Sequence, residues 1–83
     1  MLNSEQKQKI KLKVQEQNTI LLNILADEYN HLIRDMPRQL KRFGLHPIMR
    51  HQCRNGWKTL DRDTRRYTYA EICKEQERRK SNG

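Results

Sequence analysis

Cys53-Arg54-Asn55-Gly56-Trp57-Lys58-Thr59-Leu60 holds the only tryptophan of the chain, the largest side chain available to a core. Upstream of it, Met49, Cys53 and Trp57 recur at every fourth position, and Arg50, Arg54 and Lys58 recur one residue further round. On a helix these are two adjoining stripes, one apolar and one cationic. One face of such a helix enters a core while its neighbour meets an anion. An indole buries on the order of 150–250 Å², and only 34% of the residues are hydrophobic. Trp57 is therefore the expected centre of the core.

Working outward, the stretch ends a helix expected over about residues 47–58, with Pro47 at its first position and Gly56 near its end. Leu60-Asp61-Arg62-Asp63-Thr64 then starts the next helix, with Asp61 as its cap because a carboxylate accepts a first-turn N–H and meets the positive end of the helix dipole. This helix runs to about Lys80, with Tyr69, Ile72 and Cys73 as its apolar positions and Tyr67 and Ala70 as further candidates; Tyr67 and Tyr69 straddle its faces, which suits one for the core and the other for the surface. Beyond Lys74 it is polar all round and is supported by pairs such as Glu75 with Arg79. On the other side, Leu21, Leu22, Leu25, Tyr29, Leu32, Ile33 and Met36 line one face of a helix over residues 18–36, with Asn18 or Thr19 as its cap and Pro37 as its stop. Between them, Arg38 to Phe43 reads as a short basic turn or helix closed by Gly44.

The first seventeen residues admit two readings. Lys9 to Val14 alternates basic and apolar with a strand-like period, yet Ile10, Val14, Leu21 and Leu25 also share one helical stripe. With no partner strand in the chain, the segment is expected as an extended arm or a helical extension. The organisation expected is an arm over 1–17, a three-helix domain over 18–80 and a tail over 81–83, all-α throughout.

Eighty-three residues with three Gly and two Pro make a single helical domain near the lower limit of a self-sufficient core. The net charge is +8, and its placement matters more than its size. Residues 1–36 hold five Lys/Arg against five Asp/Glu, whereas residues 37–83 hold thirteen against five, so the whole surplus lies with the Trp57 half. A polyanion is the partner such a surface fits, and nucleic acid fits better than lipid because no long apolar face accompanies the charge.

Two cysteines twenty residues apart, without a Cys-x-x-Cys pair or a secretory signal, fit a reducing compartment and read as small core residues. Cys53, Cys73, His46 and His51 lack the paired spacing of a structural zinc site, so no metal and no cofactor is expected. No apolar run reaches membrane-spanning length. No Ser/His/Asp set, paired carboxylates or phosphate-binding loop is present, and the chain is not expected to be an enzyme.

The run Cys53-x-x-x-Trp57-Lys58-Thr59-Leu60, followed by Asp61, the pair Arg65-Arg66, Tyr67, Ala70 and a basic helix, resembles the second half of an HMG box. Glu28-Tyr29-x-x-x-Ile33-Arg34-x-x-Pro37 resembles the end of that family's first helix. The likeness covers about residues 18–80, and the chain is similar to a divergent box of the sort found in Maelstrom-like or germline chromatin proteins, or to a box that has lost bending and kept another contact. It departs in four places. Leu21, Leu22, Ile24 and Leu25 stand where phenylalanines are usual, and the Pro-rich basic strand before the first helix is absent. About five residues are added between Pro37 and Trp57, and Tyr67 comes one residue early.

The resemblance implies three helices in an L with Trp57 where the arms meet, and a DNA-binding, minor-groove, chromatin-associated role in the nucleus. On that basis Arg50, Arg54, Lys58, Arg62, Arg65 and Arg66 are expected on phosphates, with Asn18, Thr19, Leu21, Leu22 and Asn23 at the minor groove. Leu25, Tyr29, Cys53, Trp57, Leu60, Tyr67 and Tyr69 are expected in the core. RNA is a second candidate ligand. A different class of function is a protein-interaction module in which Ile10, Val14, Leu21 and Leu25 form a dimer seam.

Overall fold

The computed structural model describes residues 2–82, and these form five helices with no strand. Met1 of the expected arm and Gly83 of the expected tail lie outside the described residues. The arm is helical: α1 spans Ser4–Glu16 and begins in a capping box. Asn3 Oδ1 accepts from the Gln6 N–H at 2.8 Å and Gln6 Oε1 accepts from the Asn3 N–H at 3.0 Å, which satisfies two first-turn donors reciprocally. A lone strand has no such internal source of hydrogen bonds, which is why the helical reading of Lys9 to Val14 prevails.

A two-residue break at Gln17-Asn18 leads into α2, Thr19–Ile33. Asn18 is its cap, accepting from the Leu21 N–H at 2.7 Å. The helix stops three residues short of Met36: Asp35 turns left-handed with φ 55°, and the Met36 N–H reaches back to the Asn30 carbonyl at 3.0 Å. The one-turn α3, Leu40–Phe43, ends at Gly44, whose φ of 72° and ψ of −178° form a conformation open to glycine. A Cβ there would stand 3.2 Å from the His46 ring.

Pro47 opens α4, Pro47–Thr59. Gly56 does not end it but lies inside the helix, which continues to Thr59 before the Leu60 N–H closes on the Trp57 carbonyl. Asp61 Oδ1 accepts from the Thr64 N–H at 2.7 Å at the head of α5, Arg62–Asn82.

The central element is α2, packed against α3, α4 and α5, while α1 packs on α5. The pairing of Lys7 with Tyr67 and of Arg79 with Gln17 makes α1 and α5 parallel. Thr19 with Arg79, Asn23 with Gln76 and Asn30 with Tyr69 make α2 antiparallel to α5. Val14, Leu22, Ala26, Tyr29, Trp57 and Ile72 form the core, with Ile10, Leu25, Leu32, Leu60 and Tyr69 against it. Trp57 is 2% exposed and its indole N–H donates to the Leu25 carbonyl at 2.8 Å. Tyr29 meets the indole edge-on at 5.1 Å and stacks on Tyr69 at 3.9 Å, so one aromatic stack ties α2, α4 and α5 together.

Two expectations are corrected here. Tyr67 is half-exposed beside the Lys7 ammonium and takes no part in the core cluster, where Tyr69 stands instead. α1 and α2 are separate helices broken at Gln17-Asn18, so the arm is not a continuous extension of the helix over 18–36, and Val14 is buried with Ile10 packed against the core.

Candidate nucleic-acid interface

The cations divide into those neutralised inside the fold and those left facing water. Asp27 and Glu28, adjacent on α2, are buried. Arg50 Nη1 donates to Asp27 Oδ2 at 2.6 Å and to Glu28 Oε2 at 3.0 Å, and its Nη2 donates to the Gly44 carbonyl at 3.3 Å. Arg38 clasps Glu28 with two bonds of 3.0 and 3.2 Å, and the Gln39 N–H bonds both Asp27 oxygens. This cluster pins the 34–46 segment and the start of α4 to α2.

A second cluster joins α5 to the α1–α2 break. Glu75 is buried and bonded by Arg78 and Arg79, and these hydrogen bonds, Arg78 first, hold its carboxyl down at about 2. Arg79 also donates to the Gln17 carbonyl at 2.6 Å, the Gln15 carbonyl at 3.2 Å and Thr19 Oγ1 at 3.2 Å. Buried Glu71 pairs with Lys74 at 3.3 Å. Four of the ten carboxylates are thus turned inward, which leaves the outer surface poorer in negative charge than the composition suggests.

The arginine stripe of α4 therefore splits. Arg50 is 6% exposed and is an internal counter-ion, which corrects its expected role as a phosphate contact: the pair of carboxylates on α2 draws this first-turn position into the core. Arg54 and Lys58 stay outside, Arg54 half-exposed with an imidazole partner, His51, at 3.2 Å. Arg62 and Arg66 are exposed. Among the described residues no carboxylate lies within ion-pair distance of Arg54, Lys58, Arg62 or Arg66. Arg65 is committed elsewhere, donating to the Trp57 carbonyl at 3.1 Å and the Leu60 carbonyl at 2.9 Å, and so caps the last turn of α4.

The residues expected at a minor groove scatter. Leu22 is fully buried and cannot act as a wedge. Asn18 caps α2, Thr19 accepts from Arg79, and Asn23 Oδ1 accepts from the Gln76 amide at 2.9 Å. Leu21 and Leu25 line an apolar groove of about 510 Å³ with Ile10, Gly56 and Leu60. Arg54 and Gly56 are two residues apart, about 200° of helix rotation, so the cationic stripe and the groove occupy opposite flanks of α4.

Cys53 is buried, and desolvation, with Glu28 next, pushes its thiol up to about 11. Cys73 is half-exposed on α5, and His46 and His51 are exposed. Among the described residues no cluster of three metal-ligating side chains exists, and no helix is long and apolar enough to cross a membrane.

Two features escape sequence reading. Among the described residues Leu45 and Ile48 are the most exposed large hydrophobics, at 66% and 72%, at the start of α4. Arg42 and Lys80, from elements thirty-eight residues apart in sequence, line one cavity. The runs Lys41-Arg42 and Arg78-Arg79-Lys80 signal charge, but nothing local signals their meeting.

No protein-family model matches the chain, and neither a curated protein nor a solved structure matches it.

Proposed function

We propose that the chain is a nucleic-acid-binding domain of divergent HMG-box type that takes DNA by its phosphates, in the nucleus and on chromatin. The observation that carries this reading is the set Arg54, Lys58, Arg62 and Arg66, which follow one another from α4 across the Leu60-Asp61 corner into α5 with no carboxylate at ion-pair distance among the described residues. The fold buries Asp27, Glu28, Glu71 and Glu75, so the carboxylates left at this corner are Asp61, which caps α5, and Asp63, which lines one recess with Arg66. A phosphate chain supplies the missing counter-charge and releases its condensed cations in exchange.

The box-like part of the proposal is supported by α2, α4 and α5 meeting around Trp57, while α5 runs antiparallel along α2 and so does not stand as a separate arm of an L. α1 lies along α5 where the resemblance implies a basic strand. The footprint is narrower than the sequence alone implies, with four phosphate contacts in place of six, since Arg50 and Arg65 are held internally. Four contacts give a slope of log K on log salt of about −3.6 on duplex DNA. The apolar groove lies on the far flank of α4, so affinity through these four cations is phosphate-led and tolerant of sequence.

A gel-shift comparison of a four-way DNA junction, a linear duplex and single-stranded RNA at two salt concentrations tests this reading. Tightest binding to the junction is the outcome expected of a box, and equal weak binding to all three reduces the surface to unspecific charge. Tighter binding to RNA reassigns the ligand, and no binding at low salt ends the proposal.

A further inference from the structure

The start of α2, α3 and the end of α5 form a cavity of about 330 Å³, lined by Arg42, Lys80, Arg79, Thr19, Asn23 and Gln76 with the apolar Leu22 and Phe43. Among the described residues no carboxylate lines it. Arg79 is committed to Glu75 and to carbonyls of the α1–α2 break, so it forms a fixed cationic wall. Arg42 and Lys80 are exposed. Among the described residues the carboxylate at ion-pair distance from Lys80 is Glu77 at 3.9 Å, with both side chains about two-thirds or more exposed, a contact that water screens.

This cavity lies at the other end of α5 from the proposed interface. The eighteen steps from Arg62 to Lys80, at about 1.5 Å each, span about 27 Å. Eighteen residues are also five whole helical turns, so Arg62 and Lys80 project from the same flank of α5.

We propose that the cavity is a second phosphate seat, in which Arg42 and Lys80 hold a phosphate of the same duplex whose other end lies on Arg54, Lys58, Arg62 and Arg66. The inference rests on the nucleic-acid reading and adds a length requirement to it. A separation of about 27 Å corresponds to about 8 base pairs at 3.4 Å each. Shorter duplexes reach one seat and longer ones reach both.

The test measures the salt slope of binding for the intact chain and for the double variant Arg42→Ala, Lys80→Ala, each on a DNA hairpin of about 5 base pairs and on a duplex of about 14. Both side chains are exposed, and helical content by circular dichroism confirms that the variant folds. On the long duplex the variant is expected to have a slope shallower by about 1.8, because two fewer phosphates are neutralised. On the hairpin the two proteins are expected to share one slope. The slope is the readout because, unlike affinity, it does not grow with the number of overlapping sites on a longer duplex. An equal flattening on both lengths, no flattening on either, or two duplexes held per protein overturns the spanning seat while leaving the first interface standing. Failure of the intact chain to bind either DNA overturns both.

Discussion

Arg50 Nη1 stands 2.6 Å from Asp27 Oδ2 with both side chains buried, and the same nitrogen reaches Glu28. One guanidinium thus joins the first turns of α4 to the middle of α2. Removing it leaves two carboxylates in a site where only Arg38 and the Gln39 N–H still answer them. Arg50→Ala is expected to lower stability by about 3–5 kcal/mol, the usual cost of leaving a buried charge without its partner, measured by urea unfolding. Arg54→Ala, four residues on and half-exposed, is expected to change stability by less than about 0.5 kcal/mol. Equal small effects from both variants would show that Arg50 is not an internal counter-ion.

The surface cations give the opposite pattern. The fourfold variant Arg54→Ala, Lys58→Ala, Arg62→Ala, Arg66→Ala is expected to keep its thermal midpoint within a few degrees. Its slope of log K on log salt for duplex DNA should flatten by about 3.6. Arg65→Ala is expected to do the reverse, weakening the fold by about 1 kcal/mol through the loss of the bonds that close α4, with the slope unchanged. A slope that Arg65→Ala flattens as much as a single surface variant does would return Arg65 to the footprint.

Trp57 touches Tyr29 edge-on and bonds the Leu25 carbonyl. Trp57→Ala is expected to cost about 3–5 kcal/mol, most of what a domain of this size holds, and to abolish cooperative unfolding in thermal circular dichroism. Trp57→Phe keeps an aromatic surface against Tyr29 and loses the indole N–H, so it is expected to fold with a lowered midpoint. A cooperative transition in the alanine variant would show that the core does not depend on the indole.

The sequence makes the helices legible where pattern and caps agree. Asn18, Pro47 and Asp61 mark their starts because a cap or a proline acts on neighbouring backbone alone, and Trp57 is the core centre because no other side chain offers its area. The missed features depend on tertiary partners. Arg50 and Arg54 are alike in sequence, and only the Asp27-Glu28 pair, more than twenty residues away, makes one internal and leaves the other external. Tyr67 and Tyr69 are two residues apart, so which one enters the core depends on the roll of α5 against α2, fixed by the Tyr29 stack and the Asn30 bond. Arg42 and Lys80 are brought together by chain reversal, which no local pattern encodes.

The two thiols should differ in reactivity. Cys53 is buried with its thiol pushed up to about 11 by desolvation, so at pH 8 it is neutral and shielded, whereas the thiolate is the nucleophile. Cys73 is half-exposed. Brief treatment with iodoacetamide at pH 8, read by mass spectrometry, is expected to modify Cys73 and to leave Cys53 intact until denaturant is added. Equal labelling of both in the folded protein would place Cys53 outside the core.

Acid should loosen the joint between α5 and the α1–α2 break. The carboxyl of Glu75 has its folded value lowered to about 2 by Arg78 and Arg79, below the ordinary 4.5 of the unfolded chain. A group lowered in this way contributes stability that is fully present above the unfolded value and is lost as pH falls toward the folded one. The thermal midpoint is therefore expected to decline between about pH 4.5 and pH 2, and Glu75→Gln should show a smaller decline over that window together with a lower midpoint at pH 7. Because Arg79 also bonds the Gln15 and Gln17 carbonyls, amide exchange should rise first in α1 as Glu75 protonates. If the α1 amides of Glu75→Gln are as protected at pH 7 as those of the intact chain, Glu75 is not what fastens that helix.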